Sequence, residues 1–268
     1  MVRPSPQPDT TPAGRARKKP AANPYRQPLY YEIAFSFFDV PKQAELIERF
    51  VRLHGRRDVR TVLDIACGPS LQLREFARRG YACIGLDLNR EMLDYVKSKE
   101  PRIVTVRRDF IRFALPGKVD LAFIMMGSLM LPSNEALLSH LDSLAGAMRR
   151  GGLYIIENAH LDWVDCETSE AEQWTTSRDG IEVKATYDTA LAAPLEQLYR
   201  EWLVLEVHDH GKTVTYRDER LVKAIFPQEF KSLVRLHGKF EIVGFFERRS
   251  TRRLKTAKND NLVILRRK

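Results

Sequence analysis

The chain has 268 residues, 44% of them apolar, enough for one substantial hydrophobic core or a core with a smaller appended lobe. No stretch approaches the roughly 20 apolar residues of a membrane helix, and the N-terminus lacks the apolar centre of a secretory signal; neither a membrane-spanning nor a secreted protein is expected, and the expected location is cytoplasmic. The net charge of +9 sits at the two ends: six Lys or Arg face one Asp in residues 1–28 and twelve face three acids in residues 231–268, which leaves five excess acids on the body between them.

Residues 1–28 are rich in Pro, Ala, Arg and Thr with little to bury, and they read as a disordered basic tail. Helical spacing of Leu46, Ile47, Phe50 and Leu53 predicts a helix from Ala44 to the stop at Gly55. Strands and helices then alternate. Strands are predicted at 61–65, 82–88, 102–108, 119–126 and 153–158, and helices at 71–80, 90–99 and 133–152. This alternation means βαβ units and a doubly wound, Rossmann-like parallel sheet covered on both faces. After Trp163 the pattern changes to long segments of apolar and polar residues in alternation, at 181–190, 195–209 and 212–225. These predict a small antiparallel sheet inserted after the fifth strand. A helix at 227–238 and strands at 240–247 and 261–267 complete the α/β part. The expected organisation is a tail over 1–28, an α/β domain formed by 29–164 and 226–268, and an inserted sheet over 165–225.

The three cysteines, Cys67, Cys83 and Cys166, show no metal-ligand spacing and read as reduced, buried, small apolar residues. His208 and His210 in "HDHG" fit a hairpin turn better than a metal site, since a third ligand is missing nearby. No metal is expected.

The loop most exposed to a ligand is "DIACGPS", residues 64–70, which follows the first strand at the carboxyl edge of the sheet. A pyrophosphate would require backbone N–H groups on a loop of several glycines. Here Gly68 stands alone, and Pro69 removes a donor. A nucleoside without phosphates asks for less: a tight turn, and an acceptor for its ribose hydroxyls at the end of the next strand. Asp87, 23 positions after Asp64, is placed for that role. Asp109 and Phe110, after the third strand, offer an acid for an exocyclic amine and an aromatic face for a purine.

These segments together resemble the class I S-adenosylmethionine-dependent methyltransferases. "VLDIACGPS" is similar to their first motif with Ala66 and Ser70 in place of the outer glycines, "GLDLNREML" to their ribose-binding strand end, "RRDF" to their adenine motif and "MRRGGLYIIEN" to their fifth strand. With the inserted sheet, the chain resembles the branch of small-molecule N-methyltransferases that act on amino sugars and glycine. The resemblance implies S-adenosylmethionine as cofactor. Asp64, Ala66 and Gly68 would line the methionine moiety, Asp87 would hold the ribose, Leu88 and Met92 would pack near the adenine, Asp109 and Phe110 would bound it, and Met126 would complete the site. "QPLYYEIAFSFFD", residues 27–39, resembles the lid that folds over the sulfonium in that branch.

Acceptor-wall candidates lie after the fourth and fifth strands and in the lid: Tyr30, Ser128, Asn158 and Trp163. His160, whose ordinary pKa is near neutrality, and Tyr31 are the candidate catalytic groups. The expected reaction is methyl transfer to a small molecule, at nitrogen in preference to oxygen. Two other readings fit some of the same residues: a protein or RNA methyltransferase, from the basic tail and the basic segment 247–258, and a non-catalytic module that binds S-adenosylmethionine, from the altered loop. A nucleic-acid partner is not favoured, and the oligomeric state is left open.

Overall fold

The computed structural model describes residues 23–161, 171–256, 258 and 260–268. The predicted tail as far as Ala22, together with Trp163 and Cys166, lies outside the described residues.

Strands β1 (Thr61–Ile65), β2 (Ala82–Asp87), β3 (Val104–Arg107), β4 (Val119–Ile124) and β5 (Met148–Glu157) run parallel. With β10 (Phe240–Glu247) and β11 (Asn261–Arg267) they form one sheet in the order β10-β11-β5-β4-β1-β2-β3. β11 is antiparallel to both neighbours and is inserted between β5 and β10. All six residues of β4 are buried, as expected of a parallel strand covered on both faces. One layer of the core packs α2 (Val40–His54), α3 (Leu71–Arg78) and α4 (Arg90–Lys99) on the sheet through residues such as Phe50, Phe76 and Val96. The other packs α5 (Asn134–Ala147) and α6 (Pro227–His237) through Leu137, Leu141, Leu144 and Phe230. Strand order reverses between β1 and β4, so the carboxyl ends of those strands frame a crevice.

The second sheet, β6 (Glu172–Arg178), β7 (Ile181–Ala193), β8 (Leu198–Asp209) and β9 (Lys212–Lys223), is antiparallel throughout. Alternate residues of β8 are buried, namely Tyr199, Glu201, Leu203, Leu205 and Val207. The short helix α1 (Pro28–Ala34) lies against this face and buries Ile33 and Ala34 there. It is held by Trp174 Nε1, which donates to the Ala34 carbonyl at 2.7 Å, and by Thr176 Oγ1, which donates to the Ile33 carbonyl at 2.7 Å. The buried Glu32 carboxylate ties three elements together, pairing with Arg74 of α3 at 2.8 Å and Arg178 of β6 at 2.7 Å.

Several boundaries differ from those read in the sequence. α2 starts at Val40 because Asp39 accepts from the Lys42 amide at 3.2 Å and Pro41 occupies the first turn. α5 stops at Ala147 rather than running to 152, and "MRRGG" begins β5. Gly152 passes so close to β4 that a Cβ there would stand 2.3 Å from the Asp120 carbonyl oxygen, which only glycine permits. β6 was not foreseen: its even alternation carries only partial burial, so its apolar signal is weak.

Candidate active site

The loop after β1 folds around three residues with left-handed backbone: Ala66 (φ 53°), Gly68 (φ 51°) and Ser70 (φ 48°). They include the two positions where glycine was expected and not found. A non-glycine residue in that region costs about 1–2 kcal/mol. Local bonds offset the cost at Ser70: its hydroxyl donates to Asp64 Oδ2 at 2.7 Å and accepts from the Leu73 amide at 3.4 Å, capping α3. Asp87 reaches back from the end of β2, with Oδ2 accepting from the Gly68 amide at 2.8 Å and Oδ1 from the Asn89 amide at 2.8 Å. Oδ1 also accepts from the Asn89 side-chain amide at 3.2 Å, so it is Oδ2 that keeps a lone pair for a further donor. Burial pushes the Asp64 carboxyl up to about 8 and raises that of Asp87, against the pull of its amide donors.

A cavity of about 310 Å³ opens over this loop. Asp64, Ala66, Gly68, Asp87, Leu88, Met92, Asp109, Phe110, Met126, Ser128 and Tyr31 line it. The residues named for a cofactor site thus come together on one wall system, with Tyr31, named as a catalytic group, and Ser128, which was expected on the acceptor wall but lines this cavity and not the second. Phe110 is held in place by a residue the sequence did not point to, His140 of α5. A carbonyl can only accept, so His140 Nδ1 donates to the Phe110 oxygen at 2.8 Å, and Nε2 then accepts from the Tyr154 hydroxyl at 2.8 Å. Burial lowers this histidine to about 4 and keeps it neutral.

A second cavity of about 490 Å³ lies between the lid and the inserted sheet. Tyr25, Tyr31, Phe35, Phe38, Met126 and Met130 line both cavities, so the two adjoin across one apolar and aromatic partition. Asn158 and His160 line the second cavity. His160 Nε2 lies 3.3 Å from the Gly127 carbonyl and must carry the proton there, which leaves only Nδ1 to accept one. Burial pushes the Tyr31 hydroxyl well above the ordinary tyrosine range, more than the nearby Arg220 lowers it, so at neutral pH it serves as a donor and not as a base. Tyr30 is a correction to the expected acceptor wall: it lines neither cavity, because its hydroxyl donates to Asp209 Oδ2 at 2.7 Å and its ring packs on Tyr216. The alternation of the helix face turns Tyr30 away as it turns Tyr31 inward. Trp163 lies outside the described residues.

Sequence reasoning missed Tyr25, Arg220 and Glu201. Arg220 stacks on the Tyr25 ring at 4.6 Å and binds Asp218, with Nε donating at 2.8 Å. Glu201 left a signal that could have been used: it is the one charged residue on the inward-facing series of β8 between Tyr199 and Val207. His208 and His210 sit by the β8–β9 turn, His208 Nδ1 2.9 Å from the Thr213 hydroxyl and His210 Nδ1 2.6 Å from Asp209.

Two carboxylates, one free glycine and a proline make a poor phosphate site, and an acid at the ribose position with Leu88, Met92 and Phe110 beyond it suits a phosphate-free nucleoside. Residues 62–152 match the methyltransferase domain family. No curated protein matches the sequence. Among solved structures, an S-adenosylmethionine-dependent methyltransferase from Clostridium acetobutylicum is similar at 15% identity with a TM-score of 0.72, covering 89% of this chain and 96% of that one. DesVI of Streptomyces venezuelae is similar at 21% identity and a TM-score of 0.73, over 90% of this chain and 96% of that one. The sugar N-methyltransferase KedS8 from a Streptoalloteichus species is similar at 16% identity and a TM-score of 0.73, over 97% of this chain and 99% of that one. The chain therefore carries a methyltransferase domain over residues 62–152 and has, along most of its length, the Rossmann-like fold of class I S-adenosylmethionine-dependent methyltransferases.

Proposed function

We propose that the protein transfers a methyl group from S-adenosylmethionine to a small-molecule acceptor, at nitrogen in preference to oxygen. The observation that carries this reading is the pair of adjoining cavities: one suits a phosphate-free nucleoside, and the other shares with it the partition of Tyr31, Phe35, Phe38, Met126 and Met130. The bound cofactor supplies an already activated methyl group, so the chain's own task is alignment and exclusion of water. Asp87 holds the ribose, Asp64 and the turn at Gly68 line the methionine part, and Phe110, held by His140, bounds the base. Tyr31 and Met126 surround the point where the sulfonium meets the acceptor. The lid closes over it, anchored to α3 and β6 by Glu32.

An amine nucleophile suits the site because the second cavity is lined by carboxylates and aromatic rings, surroundings that favour a nitrogen able to carry positive charge before and after the transfer. Incubation with methyl-labelled S-adenosylmethionine and a mixture of small metabolites, peptides and RNA tests the reading. Label on small amines is the expected result. Label on peptide or RNA alone would overturn it, and binding of S-adenosylhomocysteine with no acceptor labelled would favour a binding module.

A further inference from the structure

The acceptor cavity has a marked charge imbalance. Three carboxylates line it without an ion pair to Lys or Arg among the described residues: Glu172, Asp188 and Glu201. The one arginine lining it among the described residues, Arg248, is neutralised by Asp260 at 2.9 Å. Glu201 is the deepest of the three, with 3% of its surface exposed. One of its oxygens, Oε2, accepts from the Tyr187 hydroxyl at 2.9 Å. Its cross-strand neighbour Arg220 is hydrogen-bonded to Asp218 and stacked on Tyr25, and reaches Glu201 only through the longer-range attraction of their charges. Glu201 lines the same cavity as the partition residues Tyr31, Phe35 and Met126. The same cavity is walled by Phe35, Trp174, Tyr187 and Tyr199, whose ring faces attract cations and apolar bodies and repel an anion.

We propose that Glu201 is the group that receives the acceptor, and that the acceptor arrives as an organic ammonium ion carrying no phosphate or carboxylate near its nitrogen. This rests on the methyl-transfer reading above and narrows its substrate class. Among the described residues, an anionic group in the cavity would face three carboxylates outside any ion pair, while the lining guanidinium is already held by the fourth, Asp260. An ammonium would complete the hydrogen bonding of a buried carboxylate and gain a charge-assisted bond. In the transfer itself, one ammonium proton passes to a Glu201 oxygen. The freed nitrogen lone pair then forms the C–N bond as the C–S bond breaks, with its electrons going to sulfur. The products are an N-methylammonium and a neutral thioether, and Glu201 returns its proton to water once the product has left and solvent enters the cavity.

The test is direct binding by calorimetry with benzylammonium chloride and sodium benzoate as probes of matched shape and opposite charge, with and without saturating S-adenosylhomocysteine. The expected result is saturable binding of benzylammonium, at least about tenfold weaker in Glu201→Gln, and no binding of benzoate. The amide keeps an acceptor for Tyr187, and S-adenosylhomocysteine affinity is expected to be unchanged, which reports an intact fold. The proposal is overturned if benzoate binds as well as benzylammonium, if wild-type protein binds neither, or if a folded Glu201→Gln variant binds benzylammonium as the wild type does. Were the variant to fail to fold, the charge selectivity of the wild type would still decide. Failure of the underlying reading looks different: S-adenosylhomocysteine itself would not bind, while the titration without it would still report on Glu201.

Discussion

Replacing Asp87 with alanine should damage cofactor binding far more than it damages the fold. The carboxylate makes two 2.8 Å bonds to the Gly68 and Asn89 amides and a 3.2 Å bond to Asn89 Nδ2, so Oδ2 has a lone pair left for the ribose and Oδ1 takes a ribose hydroxyl in exchange for the Asn89 side chain. Alanine loses the charge-assisted bonds to the two ribose hydroxyls, each worth about 1.5–3 kcal/mol but not additive on one rigid diol, and it also loosens the loop that the Gly68 bond fixes. A net loss of about 2–4 kcal/mol is expected, or a fall of roughly 30- to 1,000-fold in affinity for S-adenosylhomocysteine. Unfolding of the ligand-free variant should show about 1–2 kcal/mol of lost stability, since the freed amides lie at the cavity and can recruit water. Calorimetry with S-adenosylhomocysteine and denaturant unfolding without it separate the two effects. An Asp87→Ala protein that binds within threefold of wild type would refute the assignment of Asp87 to the ribose.

Other substitutions and conditions probe the remaining parts. Asp64 has a folded-state pKa raised to about 8 by burial, so the unfolded chain releases its proton first and this group lowers stability as pH rises from about 4 to 8. Asp64→Asn should flatten that fall by up to about 1.4 kcal/mol per pH unit, as measured by urea unfolding across the range; parallel pH profiles would show that Asp64 is ionised throughout. Gly68→Ala meets no atom within 4 Å of the added methyl, so its cost comes from the left-handed backbone alone, about 1–2 kcal/mol by chemical denaturation. A loss above 4 kcal/mol would mean that the methyl group finds a clash. Glu32→Gln removes the charge that Arg74 and Arg178 share and should cost about 2–3 kcal/mol, less than a fully buried pair because both arginines are partly exposed. Tryptic cleavage after Arg26 should accelerate with it, and an unchanged cleavage rate would show that Glu32 does not hold the lid.

How much of this the sequence disclosed depended on whether the physical cause was local. β1, α4, β10 and β11 stand at the predicted residues, because buried runs bounded by turn signals need no distant partner to be recognised. The loop that lines the first cavity was legible for the same reason: Asp64 and Asp87 lie at the ends of two successive strands, with Gly68 in the turn between them. What the sequence hid was set by contacts between distant segments. Gly152 is a strand residue because it must pass the Asp120 carbonyl. His140 serves the site only through Phe110, 30 residues away, and Tyr154. Tyr30 and Tyr31 are adjacent and chemically alike, and only the packing of α1 on the inserted sheet decides which of them turns inward. Glu201 was readable in principle from the period of β8, but its meaning appears only when β8 is set opposite the lid.

The central claim is that a nucleoside cofactor in one cavity presents its sulfur to an acceptor in the other. A crystal structure with S-adenosylhomocysteine tests it most directly. The account predicts the ribose hydroxyls on Asp87, the base against Phe110, and the sulfur at the partition of Tyr31 and Met126, facing the cavity that Glu201 lines. A ligand whose sulfur points away from that partition, or whose base occupies the second cavity, would contradict it.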